Sequence, residues 1–250
     1  MPTEPAVVLL HGQPATSATF APIRRRLAEL RVLAPDRPGY GHNPAHGTDF
    51  PGNVDWLIKL MDAKRVDRAV LAGHSWGAGI AVLAAARHPG RVAGLVLAAP
   101  IGPHCVLPLD RLLAARVLGE GLTYGTVRLA GALLHHRRLR DLETYLDPAD
   151  LPAARAALDA QLRRPVWRTF LTEQRALVRQ LPLLDGALAQ VAAAVRIVAG
   201  TEDAIIPRRT IEALAAELAD STVTWVDSAQ HELTLHAPDA VAGAIRELAG

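Results

Sequence analysis

Cysteine is almost absent from this chain, which carries one, Cys105, in 250 residues. An internal disulfide is therefore excluded, no metal site can be built from cysteines, and the composition fits a reducing compartment. Long apolar runs are missing too. No stretch approaches the roughly 20 residues needed to span a bilayer, so no membrane association is expected. The opening MPTEPAVVLLHG has no basic region ahead of its short apolar run, which argues against a secretory signal and for a cytoplasmic protein. Strong charge of one sign is also lacking. Lysine plus arginine number 27 against 25 aspartates and glutamates, and with that near balance a pI of about 9.0 does not argue for nucleic acid. Internal repeats and low-complexity segments are absent, the Ala and Arg bias being spread along the chain. What is present is an ordinary globular composition, half apolar and 21% charged, long enough for one large core with an inserted subdomain.

The pattern along the chain alternates short apolar runs with helical periodicity. Ala6 to Leu10 reads as a buried strand ending in His11-Gly12-Gln13-Pro14, and Phe20 to Leu30 follows a helical period. Val32 to Ala34 reads as a second strand closing on the turn formers Asp36 to Gly41. A helix from about Val54 to Met61 precedes a strand at Ala69 to Ala72, then an Ala-rich helix stopped by His88-Pro89-Gly90, and a strand at Val92 to Ala98. From Ile101 to about Pro182 the character changes to amphipathic helical stretches rich in Leu, Ala and Arg. Strands resume at Val195 to Ala199 and Val223 to Val226, with helices at Thr210 to Leu218 and about Ala240 to Leu248. Apolar strands separated by helices predict a parallel sheet covered on both faces. The expected organisation is a core from 1–100 and 183–250, interrupted by a helical insertion at 101–182.

One stretch carries chemistry more plainly than any other. Val70 to Ala81, VLAGHSWGAGIA, is an apolar strand that turns at Gly73-His74-Ser75-Trp76-Gly77 into the Ala-rich helix, the G-x-S-x-G nucleophile elbow. A serine hydroxyl is a weak nucleophile unless it projects from a tight turn beside a base. Gly73 and Gly77 permit such a crowded turn, and the Trp76 backbone N–H is left at a helix N-terminus, where it can stabilise a developing oxyanion. A base and a group to orient it are sought downstream, at strand ends. Asp203 follows the strand Val195 to Ala199 within GTEDAIIP, and His231 follows the strand ending at Val226. Their order is Ser, Asp, His.

These features resemble those of the α/β-hydrolase fold with a helical cap, of the esterase and lipase kind. Its HG-x-P loop matches His11 to Pro14, its D-x-x-G-x-G turn Asp36 to Gly41, its elbow Gly73 to Gly77, its G-x-x-D-x-x-x-P acid loop Gly200 to Pro207, and its histidine with a following proline His231 and Pro238. The resemblance implies Ser75 as nucleophile, His231 as general base and acid, Asp203 as its orienter, and the backbone amides of Gln13 and Trp76 as oxyanion hole. His11 and Gly12 would shape that loop, with Gly73, His74 and Gly77 shaping the elbow. One departure stands out: members usually open with an antiparallel hairpin ahead of the HG strand, which here begins close to Met1. A mostly parallel sheet of about six strands is expected, with an exposed edge that a second subunit could cover. Monomer and homodimer both stay open.

Each of these residues has a plainer reading. Asp203 could merely cap the helix at Thr210, with Glu202 as rival acid, but only Asp203 falls on the motif register. His236 rivals His231, yet only His231 has Pro238 at the family spacing. His74, a sequence neighbour of the nucleophile, is expected to pack in the turn rather than act as a base. The cluster His135, His136, Arg137, Arg138 and Arg140, with Arg163, Arg164 and Arg168, could receive a substrate carboxylate, though such arginines more often form a solvated helix face. Trp76 and Trp167 could wall an acyl pocket, and Cys105 reads as an inert thiol.

The function expected is a serine hydrolase acting on carboxylic esters, or lactones or thioesters, of small to medium, partly apolar substrates. It needs no metal and no cofactor, and its expected partner is a small-molecule substrate. Carbon–carbon bond hydrolysis or perhydrolase (cofactor-free haloperoxidase) activity would reuse the same triad. Epoxide hydrolases and haloalkane dehalogenases share the HG-x-P loop but need an aspartate at the elbow, which Ser75 argues against. A non-catalytic receptor on this fold is the rival of another class.

Overall fold

Alternation along the strands decides which side of the molecule each side chain enters. In the computed structural model, which describes residues 5–115, 120–125, 129, 139–141, 143–152, 154–156 and 166–250, the sheet has six strands, β1 (Ala6–Leu10), β2 (Val32–Leu33), β3 (Ala69–His74), β4 (Val92–Ala98), β5 (Val195–Gly200) and β6 (Ser221–Val226). Their order is β2-β1-β3-β4-β5-β6, and every pairing is parallel. Val8, Leu10, Leu71, Leu95 and Leu97 face one layer of helices, while Val7, Leu9, Val70 and Val96 face the other. Both faces are covered, so β1 and β3 are buried throughout, whereas β6 at the edge alternates exposed and half-buried residues.

The first layer contains α2 (Phe50–Ala63), α3 (Trp76–Arg87) and the end of α5 (Val166–Leu188); the second contains α1 (Ala21–Arg26) and α8 (Pro238–Ala249). The remaining helices are α4 (Pro108–Leu113), α6 (Arg208–Glu217) and α7 (Leu233–His236). Helix α3 is buried from Trp76 to Ala85 because it lies between the sheet, α2 and α5. Its small side chains permit that close approach. Helix α2 begins earlier than its apolar period suggests: Asp49 caps it by accepting the Gly52 N–H at 3.0 Å, a contact worth about 1 kcal/mol. The helix expected over Phe20 to Leu30 is shorter, with a single 3-10 turn at Ser17–Phe20 leading into α1.

The end expected for the helical insertion, at about Pro182, falls within helix α5. Pro182 lies inside α5 rather than stopping it. A proline removes one intrahelical bond, but Leu177, Leu184, Ala187 and Leu188 pack into the core on either side of it and hold the helix through. The last element of the insertion is therefore continuous with the core. Further contacts join the insertion to the core: Leu146 and Ala154 pack on Leu235, and Arg25 of α1 pairs with Asp147 and Asp150, each at 2.5 Å. Of the basic cluster noted in the sequence, His135, His136, Arg137, Arg138, Arg163 and Arg164 lie outside the described residues. Among the described residues no helix is long and apolar enough to cross a membrane.

Candidate active site

At the carboxyl end of β3 the backbone reverses within a few residues. Ser75 takes φ 52° and ψ −117°, a left-handed conformation that costs a non-glycine residue about 1–3 kcal/mol. Three contacts hold it there: its N–H donates to Ala98 O at 2.9 Å, and its carbonyl accepts the N–H groups of Ala78 at 3.0 Å and Ile101 at 3.5 Å. The elbow glycines are required by proximity. A Cβ on Gly77 would stand 2.1 Å from Leu10 O, and one on Gly73 would stand 2.5 Å from the Ala78 Cα. Both places are occupied by backbone, so no side chain can swing away to make room.

The two downstream candidates meet the serine. His231 Nε2 is 3.1 Å from Ser75 Oγ, and His231 Nδ1 is 2.8 Å from Asp203 Oδ2. The carboxylate fixes the tautomer. An ionised Asp203 can only accept, so Nδ1 carries the proton and the Nε2 lone pair is left for the serine O–H. The other carboxylate oxygen, Oδ1, accepts the N–H groups of Ile205 at 2.8 Å and Ile206 at 2.9 Å. Burial pushes the Asp203 carboxyl up, but the His231 ring and these two amides outweigh it and hold the group below the usual carboxylate range. The rivals stand apart. Glu202 is exposed, and the His236 ring packs against Tyr145 with centroids 4.6 Å apart.

The loops bearing acid and histidine are tied to each other and to the elbow. Ser228 N–H donates to Thr201 Oγ1 at 2.9 Å, and the Glu202 N–H donates to Ala229 O at 3.0 Å. His74 is a packed residue, as its position beside the nucleophile suggests, but it also has a partner: its Nε2 is 3.0 Å from the His231 carbonyl oxygen. Burial lowers the His74 imidazole below the usual histidine range, so it stays neutral and donates.

The HG loop runs past the nucleophile on the other side. A Cβ on Gly12 would lie 3.1 Å from Ser75 Cβ, which puts this backbone against the serine. Among the described residues the N–H groups of Gln13 and Trp76 have no hydrogen-bond acceptor, so both are free to donate. The Trp76 indole is not a pocket wall: it is fully buried, stacked on Phe50 at 4.0 Å and covered by Arg37 at 4.7 Å. Trp167 is half-buried against Tyr124, with the exposed Arg168 over its ring at 5.3 Å. Burial pushes the Cys105 thiol up to about 11, which suits an inert thiol.

One group of residues escaped sequence reasoning. Arg37 is fully buried and donates through Nε to His11 O at 2.8 Å and through Nη2 to Gly12 O at 3.0 Å, while its Nη1 pairs with Glu173 of α5. Tyr40 completes the group by donating to Glu173 Oε2 at 2.6 Å. Burial pushes the Glu173 carboxyl up, against the opposing pull of Arg37 and Tyr40. His11 Nε2 accepts the Arg37 backbone N–H at 3.0 Å, and its Nδ1 donates to Gly12 O at 2.9 Å. Burial first and Arg37 second lower the His11 imidazole to about 3. A signal for this group existed: Glu173 falls on the helical stripe of Thr169 and Leu177, where a carboxylate is out of place unless paired.

A cavity of about 810 Å³ opens beside these groups, bounded by Pro14 and Thr16 of the HG loop, Glu202 and Ile205 of the acid loop, and Tyr145 and Ala154 of the insertion. It meets the relay at His231 rather than at Ser75, which is 7% exposed.

Known proteins are similar to this one along most of the chain. The pimeloyl-[acyl-carrier protein] methyl ester esterase of Aromatoleum aromaticum is 29% identical over 98% of both chains. The 2-hydroxymuconate semialdehyde hydrolase of Pseudomonas sp. strain CF600 is 29% identical over 85% of this chain and 75% of its own. Among solved structures, a thermophilic esterase from Thermogutta terrifontis superposes with a TM-score of 0.74 over 98% of this chain and 89% of that one; at 22% identity this speaks for the fold alone. The model of the alpha/beta hydrolase family matches residues 7–244, and the chain belongs to that family.

Proposed function

We propose that the protein is a serine hydrolase that cleaves carboxylic esters, or the related lactones and thioesters, through an acyl-enzyme. The observation that carries this reading is the unbroken relay from Asp203 through His231 to Ser75, with distances of 2.8 and 3.1 Å. In this mechanism His231 Nε2 takes the Ser75 proton as Oγ attacks the carbonyl carbon, and Asp203 stabilises the imidazolium that forms. The Gln13 and Trp76 amides receive the tetrahedral oxyanion. As the carbon–oxygen bond of the ester breaks, His231 returns its proton to the departing alcohol, which leaves towards the cavity beside it. Water then attacks the acyl group, with His231 again as base, and releases the acid and free Ser75.

No step needs a metal or organic cofactor. The partner of the site is a small-molecule substrate, its apolar part lying under the insertion. Similarity to an esterase over the full length of both chains supports the ester reading. Similarity to 2-hydroxymuconate semialdehyde hydrolase favours a second one, cleavage of a carbon–carbon bond by the same triad. Turnover of p-nitrophenyl acetate and butyrate, compared with that of a vinylogous β-diketone, separates the two. The ester reading expects p-nitrophenol release that Ser75→Ala abolishes. Release unchanged in Ser75→Ala refutes it.

A further inference from the structure

On the serine-hydrolase reading, we propose that Glu173 is a positioning residue for the oxyanion hole, acting through Arg37 on the peptide that carries the Gln13 N–H. The argument starts from peptide geometry. In a planar trans peptide the C=O of one residue and the N–H of the next point in opposite directions. The Gly12–Gln13 peptide is trans, the cis bond lying one residue later at Gln13–Pro14. Whatever holds the Gly12 carbonyl therefore aims the Gln13 N–H.

Two donors hold that carbonyl, Arg37 Nη2 at 3.0 Å and His11 Nδ1 at 2.9 Å. A third bond, from Arg37 Nε to His11 O at 2.8 Å, fixes the preceding peptide. Three of the planar guanidinium's donors are thus directed along two fixed lines, one towards the loop and one towards Glu173. Arg37 needs Glu173 to stay there. The pair is fully buried, and a buried guanidinium without a counter-ion would draw water or swing towards solvent. Tyr40 in turn holds the carboxylate at 2.6 Å. Because Glu173 belongs to the long helix of the insertion, that helix reaches the reacting centre without touching it.

The test is built so that loss of fold and loss of positioning separate. Glu173→Gln alone strands a buried charge, so the main variant is Arg37→Met/Glu173→Leu, which removes both charges and keeps apolar volume. Tyr40→Phe is the milder companion. For each folded variant, kcat and KM for p-nitrophenyl butyrate are measured along with the affinity for an alkyl trifluoromethyl ketone, whose hemiketal oxyanion uses the same donors. Loss of one oxyanion donor costs about 10²–10³ in kcat; misdirecting one is expected to cost about 10- to 100-fold, with a parallel loss of ketone affinity and KM within about twofold. Tyr40→Phe is expected to show the same split at about three- to tenfold. If the double variant does not fold, Tyr40→Phe decides. Unchanged kcat and ketone affinity in a folded variant that still takes a fluorophosphonate overturn the positioning role alone. Wild-type protein that turns over no ester and takes no fluorophosphonate overturns the serine mechanism, and the positioning role falls with it.

Discussion

The carboxyl edge of the sheet and the helical insertion above it are built on opposite plans. At the sheet edge the groups around the serine are joined by short, specific bonds: Ser75 with His231, His231 with Asp203, Asp203 with two amides, Arg37 with two carbonyls and a carboxylate. Among its described residues the insertion, apart from α5, leaves Leu109 59% and Leu129 62% exposed and meets the core in part through a small apolar cluster around Leu235 and partly exposed ion pairs such as Arg25 with Asp147. On the proposed function, the difference separates chemistry from selectivity. A reaction that depends on sub-ångström placement needs groups held by several bonds each, whereas a substrate cover needs shape and little else.

The comparison breaks most visibly at the relay itself. Replacing His231 by Ala should cut kcat by about four to six orders of magnitude, and Asp203→Asn by about 10⁴-fold through the wrong histidine tautomer. Glu202→Gln, one residue from the acid but exposed, should change kcat by less than about threefold. Steady-state kinetics on p-nitrophenyl butyrate checks all three, and a larger loss for Glu202→Gln than for Asp203→Asn reverses the assignment of the acid.

A smaller effect concerns stability and pH. His11 is held neutral in the folded protein, with its pKa near 3 against an unfolded value of 6.5. The unfolded chain therefore binds the extra proton first, so stability from this group is complete above about pH 6.5 and is lost as pH falls towards 3. Between pH 7 and pH 5 the expected loss is about 2 kcal/mol. Urea unfolding should show a smaller loss in a folded His11→Asn variant than in the wild type, the part contributed by the buried His74 remaining. An identical pH slope in both would mean that His11 is not the group responsible.

The smallest effects belong to the insertion. Arg25→Ala, which removes the pairs with Asp147 and Asp150, should leave the urea unfolding midpoint almost unchanged, because exposed ion pairs trade charge attraction for side-chain entropy and are screened by salt. Tyr145→Ala, in the cavity wall, should alter the ranking of ester substrates by KM while leaving kcat for the smallest ester within about threefold. A collapse of kcat with acetate esters in Tyr145→Ala would place part of the chemistry in the insertion and end the division drawn between the two regions.

What could be read from the sequence follows the same line. Gly73, Ser75 and Gly77 are legible because a tight turn against other backbone admits few residues, and Asp203 and His231 because they follow strand ends on the register of the motifs they resemble. The six parallel strands are legible as short apolar runs. The continuity of helix α5 through Pro182 is not legible, since it rests on four apolar side chains that anchor the helix around the proline. The Trp76 indole was offered as a pocket wall, and its burial against Phe50 depends on a helix far away in sequence. The Arg37 group was missed for the same reason: Arg37 and Tyr40 occupy the variable positions of a turn motif, and their meaning appears only when Glu173 arrives 136 residues later.

The most direct test of the central claim, that Ser75 is the nucleophile of a relay already assembled, is to label the folded protein with a fluorophosphonate and locate the adduct by peptide mass spectrometry. The expected result is one adduct per chain, on the peptide containing Ser75, lost in Ser75→Ala and slowed by orders of magnitude in His231→Ala. No adduct on well-folded protein, or an adduct that persists in Ser75→Ala, contradicts it.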